Sequence, residues 1–113
     1  MSLVYKLIDR PAWEAAVRDG VFTGSAVDLA DGFIHLSSAH QAQETARRYF
    51  SGQSDLLLVA IETDGLGDSL RWEPSRGGDL FPHIYGPLPT STAAWSRPVP
   101  IGADGTPMLG DLP

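Results

Sequence analysis

Phe33-Ile34-His35-Leu36-Ser37-Ser38-Ala39-His40-Gln41 is where the chain passes from strand to helix, and its reading decides the fold. Up to Ser37 the residues alternate, with Phe33, His35 and Ser37 on one face of a strand and Ile34 and Leu36 on the other. Ser38 and Gln41 then make a capping box, in which each side chain satisfies a backbone donor of the first helical turn. Ala42, Ala46, Tyr49 and Phe50 line one face of the helix that follows, and Gly52 stops it. Beyond it, Leu56-Leu57-Leu58-Val59-Ala60-Ile61 is continuously apolar, as expected for a strand at the centre of a sheet. Upstream, residues 26–30 and 33–37 flank Asp31-Gly32 and predict a hairpin. Residues 3–8 read as a first strand. Asp9 then caps a helix over 10–18, with Pro11 in its first turn and Gly20 closing it. Residues 70–72, 81–85 and 99–101 are short strand candidates. Two main helices among about six strands predict an α+β domain with a mostly antiparallel sheet, split or barrel-like. The domain covers residues 1–101, and the Gly-, Asp- and Pro-rich residues 102–113 read as a loosely held tail.

A chain of 113 residues with this mixture of apolar and charged residues forms one globular domain. Its net charge is −6, with 8 Lys plus Arg in total. A nucleic-acid binder needs a basic face to neutralise phosphates, so that class is disfavoured. A small anion or nucleotide stays open as a partner, because a few Arg side chains and one helix N-terminus suffice for a single phosphate. There is no cysteine, hence no disulfide framework and no thiolate zinc site. Residues 1–10 lack a signal-peptide pattern, and no apolar run has membrane-spanning length, so a cytoplasmic location without a membrane partner is expected. The oligomeric state is not readable.

Three segments concentrate side chains with chemistry. In the first, His35 stands beside Ser37, Ser38 and the free amides of a helix start, and His40 lies in that same first turn. Oriented amides and the helix dipole favour an anion there. The second, Leu70-Arg71-Trp72-Glu73-Pro74-Ser75-Arg76-Gly77-Gly78-Asp79, offers Arg71 and Arg76 as forks for a phosphate or carboxylate and Trp72 as a stacking wall. In the third, Phe81-Pro82-His83-Ile84-Tyr85, His83 and Tyr85 share a strand face. His titrates near neutral pH, so His35 and His83 are the candidate catalytic acid–base pair. Ser37, Ser38, His40, Arg71, Trp72, Arg76 and Tyr85 are the candidate ligand-binding residues. Each segment also has a purely structural explanation: a hydrogen-bonded core histidine, a helix cap, or a turn with a surface ion pair. No metal is assigned, since neither His-x-His nor His-Glu-x-x-His spacing occurs, and Ser37 lacks a nucleophile elbow.

Asp28-Leu29-Ala30-Asp31-Gly32-Phe33-Ile34-His35-Leu36-Ser37, the Gln43-Glu44-Thr45-Ala46 helix, and Leu70-Arg71-Trp72-Glu73 through Phe81-Pro82-His83-Ile84-Tyr85-Gly86 together resemble the bacterial domain-of-unknown-function family 952. The likeness runs from about Val4 to Leu88, where these motifs occur together. The family has no established activity and is similar to the ADP-ribosyltransferase and RNA 2′-phosphotransferase fold group. That likeness implies a split antiparallel sheet and a cleft for NAD or another nucleotide. By the same likeness, His35 with Ser37 would hold a ribose, and Tyr85 or Trp72 would pack on a nicotinamide. No Glu follows Glu73, so the late glutamate of standard ADP-ribosyl transfer has no counterpart. The phosphotransferase branch relies on Arg and His, which Arg71, Arg76, His35 and His83 match in type. The leading expectation is therefore a small enzyme, or a degenerate relative of one, with a cleft for a phosphate-bearing ligand. The alternative is a non-catalytic metabolite-binding or protein-interaction module. Shared chemistry requires the two imidazoles within about 10 Å of each other.

Overall fold

The computed structural model describes residues 2–113, the side chain of Arg76 excepted. Its elements, in order, are β1 (Leu3–Asp9), α1 (Arg10–Asp19), β2 (Val21–Phe22), α2 (Ala26–Asp31), β3 (Ile34–His35), α3 (Ala39–Tyr49), β4 (Leu56–Glu62), β5 (Leu70–Pro74), β6 (Leu80–Ile84), β7 (Leu88–Pro89) and β8 (Ala93–Pro98). The strands pair antiparallel as β1-β4-β8, β2-β7 and β3-β6-β5. Among the described residues these are open sheets, not a closed barrel. The radius of gyration, 13.2 Å, is that of one compact domain of this length.

β4 is apolar throughout because it is central and covered on both faces. Leu57, Val59 and Ile61 pack with Val4, Ile8 and Trp13 on one side. Leu56, Leu58 and Ala60 pack with Tyr5, Leu7 and the buried Ala42 and Ala46 of α3 on the other. The capping box of Ser38 and Gln41 starts α3 as the sequence predicts, and the Gln41 amide also reaches the Leu80 carbonyl at 2.8 Å. Tyr49 does not join the apolar face of α3; it is exposed.

The hairpin expected at 26–30 is not formed. That segment is the helix α2, so the domain has three helices rather than two. Ser25 and Asp28 make a capping box, with the Ser25 amide donating to Asp28 Oδ2 at 2.9 Å. Gly32 ends the helix at φ 87°, a conformation costly for a residue with a side chain. The chain then turns into β3, whose continuation links two sheets. Leu36 donates to the Pro82 carbonyl, while Ser37 and Tyr5 exchange backbone hydrogen bonds of 2.7 and 2.9 Å.

The last sheet strand is Ala93–Pro98, before the expected 99–101. Its residues alternate between half-buried and exposed, which is the period of a strand covered on one face. Residues 102–113, read as a loose tail, make several contacts. Leu109 is buried, Gln43 bonds both the Pro107 carbonyl and the Leu109 amide, and Arg97 donates to the Leu109 carbonyl. Among the described residues no helix is long and apolar enough to cross a membrane.

Candidate functional site

The register of the β3-β6-β5 sheet puts His35 directly opposite His83, and His83 opposite Arg71. Opposed residues in an antiparallel pair share a face, so three basic side chains stand in a row across three strands. The imidazole centroids of His35 and His83 are 5.5 Å apart, with the rings edge to face. Phe33 lies against both, 4.7 Å from the His35 ring and stacked 4.2 Å from the His83 ring.

Each imidazole is held by a carboxylate at Nδ1. His35 Nδ1 lies 2.7 Å from Asp28 Oδ1, and His83 Nδ1 lies 2.8 Å from Glu73 Oε1. Such a partner fixes the ring's orientation and fixes which nitrogen it presents to a reactant. The two supports differ in depth. The Asp28 side chain is only 1% exposed. It accepts from the Ser25 amide, from the His35 amide at 3.1 Å, and from Lys6 Nζ at 2.9 and 3.1 Å. Burial alone would raise the Asp28 carboxyl pKa. The hydrogen bond with His35, the Lys6 charge and the Ser25 amide outweigh burial and hold it far below the usual carboxylate range. Burial pushes the Lys6 ammonium down, and Asp28 works against that push. Glu73 is nearer solvent. Hydrogen bonds with His83 and then Tyr85 lower its pKa, and it in turn raises that of the Tyr85 hydroxyl, which donates to it at 2.8 Å.

On the solvent side, His35 Nε2 lies 2.9 Å from Asp31 Oδ2, an exposed carboxylate one helical turn back. His35 therefore has a carboxylate oxygen within hydrogen-bond distance of each ring nitrogen.

A cavity of about 760 Å³ opens beside this cluster. Lys6, Asp28, Asp31, His35 and His83 form its polar end, and Phe22, Val27 and Phe81 contribute apolar wall. Its size suits a small-molecule ligand.

The ligand-binding candidates divide. Ser37 lines the cavity and shares a 3.0 Å hydrogen bond with Thr45. Ser38 belongs to the α3 cap, and its hydroxyl meets the exposed His40 ring at 3.1 Å. The Arg71 guanidinium lies 4.9 Å over the Tyr85 ring; the two stand beside His83 and do not line the cavity. Trp72 is exposed and paired in register with Pro82, on the opposite face from Arg71 and His83. The Arg76 side chain lies outside the described residues.

Lys6, Asp28, Asp31 and Phe33 join the site without being among the candidates expected from the sequence. Two signals for them exist in the chain. Ser25-x-x-Asp28 has the capping-box spacing, and Lys6 is a charge placed between Val4 and Ile8 on the buried face of an apolar strand.

Residues 7–96 match the family model described as Protein of unknown function (DUF952). The chain belongs to this family. The match includes every member of the two histidine clusters except Lys6, which directly precedes it. The DUF952 chain is similar to solved structures of protein CC0527 from Caulobacter crescentus. An X-ray structure shares 53% identity over 96% of each chain, with a TM-score of 0.94. A solution NMR structure shares 54% identity over 97% of this chain and 95% of that one, with a TM-score of 0.86. No curated protein matches the chain.

Proposed function

We propose that this protein is a small enzyme that binds a nucleotide or similar phosphate-bearing ligand in the cavity beside β1 and transfers protons through His35 and His83. The observation that carries this reading is the facing pair of imidazoles, 5.5 Å apart, each backed by a carboxylate at Nδ1. Two imidazoles at that separation reach opposite sides of one reacting group. One removes a proton from the attacking oxygen while the other protonates the leaving oxygen, as displacement at a phosphate ester requires. Asp31 occupies the position at His35 Nε2 that an anionic oxygen of the ligand would take, and its side chain is exposed. Arg71, opposite His83 in register, would meet a second anionic group only where the ligand extends beyond the cavity. NAD is the larger candidate ligand, and it rests only on what the sequence resemblance implies.

A non-catalytic binding module is the second reading. It is favoured by His35 having a carboxylate partner at each ring nitrogen, which leaves neither nitrogen open for proton transfer until a ligand displaces one of them.

Thermal-shift screening against dinucleotides, cyclic nucleotides and 2′-phosphorylated nucleotides tests the proposal, with phosphorus NMR following any turnover. A responding nucleotide should be consumed, and His35→Gln or His83→Gln should slow consumption by about 10²–10⁴-fold, the usual range for a lost acid–base group. Binding that needs His35 without consumption selects the module, and no response to any nucleotide sinks both phosphate-ligand readings.

A further inference from the structure

The chain contains seven arginines and one lysine, Lys6. That one amine is not on the surface. It projects from the middle of β1 on the face shared with Val4 and Ile8, its side chain is 8% exposed, and it lines the cavity. Lysine is among the residues least often buried. As a partner for buried Asp28, arginine would make the stronger, forked ion pair, and arginine is this chain's cation everywhere else. What lysine has and arginine lacks is an amine that can shed its proton and attack carbon.

The geometry points to Lys6 as a carbonyl-capturing amine that binds an aldehyde or ketone in the cavity as an imine, with His35 carrying the protons. This rests on the reading of the cavity as a small-ligand site with His35 as its proton carrier, and it adds to the phosphate-bearing ligand of that reading a reactive carbonyl. The step balances with the groups present. The ammonium first loses a proton to solvent through the cavity. The amine nitrogen then bonds to the carbonyl carbon, and a proton passes from nitrogen to the carbonyl oxygen, giving a carbinolamine. His35 protonates the hydroxyl, the C–O bond breaks, water leaves and a protonated C=N remains. Asp28 is common to both partners, 2.9 Å from Lys6 Nζ and 2.7 Å from His35 Nδ1, so amine and imidazole are held on one carboxylate. The protonated imine keeps the positive charge of the ammonium it replaces. Buried Asp28 therefore regains a cation on the same nitrogen once the imine has formed, so the finished adduct does not leave it without a counter-ion. Burial also favours the neutral, reactive amine, since it lowers the Lys6 pKa.

The test is reductive trapping with pyridoxal 5′-phosphate and cyanoborohydride, read by peptide mapping. The sequence offers the label Lys6 and the N-terminal α-amino group, and the latter serves as an internal reference. Lys6 should be labelled in the folded protein. His35→Gln should slow Lys6 labelling at least about tenfold while leaving the α-amino rate unchanged, as loss of a proton carrier requires. Lys6→Arg, which keeps the positive charge, should leave only the α-amino adduct. Labelling of Lys6 only after unfolding in urea, or at an equal rate in His35→Gln, overturns the proposal. If Lys6 is not labelled but a nucleotide still stabilises the protein in a His35-dependent way, the imine falls and the cavity reading stands. If neither signal is seen, both fall.

Discussion

Replacing Asp28 with Asn keeps the side chain's shape and removes its charge, leaving Lys6 buried without a counter-ion. Both side chains of this pair are almost fully covered, 8% and 1% exposed, so solvent does little to screen the loss. Breaking a buried pair by removing one partner costs about 3–5 kcal/mol. In a domain of this size each kcal/mol moves the melting temperature by about 4 °C, so Asp28→Asn should lower it by about 12–20 °C at neutral pH. Removing Lys6 as well should recover most of that loss, and a double-mutant cycle of Asp28→Asn with Lys6→Met gives the coupling directly. Acid provides an independent check. Unfolded Asp28 takes up a proton as the pH falls through about 4, while the folded carboxyl, held low by its donors, stays ionised. The unfolded state then binds the extra proton, so this carboxylate's stabilisation is full above about pH 4 and erodes by up to about 1.4 kcal/mol per pH unit below it. Glu73 and Glu44 also titrate low, so the diagnostic quantity is the wild-type curve minus the Asp28→Asn curve. The assay is chemical denaturation from pH 2 to 8. A melting shift below about 4 °C, or a difference curve flat in acid, would refute the reasoning that Asp28 is a buried, charge-paired hub.

Two further outcomes follow from the frame around the site. Leu58→Ala, at a fully buried position between β4 and α3, should cost about 2–5 kcal/mol in urea unfolding without altering ligand response. Gly32→Ala should cost roughly 1–2 kcal/mol, because a Cβ at φ 87° is strained although no neighbouring atom obstructs it; heteronuclear NMR should place its largest shift changes at the α2–β3 junction.

α3 and the strand before it are legible in the sequence because their signals are local. The alternation through Ile34-His35-Leu36 and the capping pair Ser38 and Gln41 need no distant partner. β4 is legible because six apolar residues in succession have few other uses. The opposition of His35 and His83 rests on a pairing 48 residues apart (83 − 35), and alternation shows only that each histidine occupies a strand face. α2 is harder. Ala26-Val27-Asp28-Leu29-Ala30 before Asp31-Gly32 fits one arm of a hairpin as well as a short helix. The choice is made by Asp28, whose buried charge requires Lys6, 22 residues earlier in the chain. The same dependence hides Lys6, since a charge inside an apolar strand makes sense only once its partner is known. β8 escapes for a different reason. Trp95 and Arg97 are covered by a ring-to-guanidinium contact of 4.9 Å and by the following chain, which its own residues do not encode.

The position of Asp28 explains how this small domain holds a lysine and a histidine near its core. Folding α2 brings one carboxylate inward, and that carboxylate simultaneously caps the helix, neutralises Lys6 and orients His35. Each of these acts would be costly alone, since a buried charge without a partner destabilises the fold. Together they satisfy the anion with four donor groups: two backbone amides, one ammonium and one imidazole. The Nδ1 side of His35 is thereby fixed by the fold, whereas its Nε2 side meets only the exposed Asp31. One edge of the ring is held by a buried carboxylate and the other by an exposed one. That division is the feature on which the proposed proton-transfer role of His35 rests.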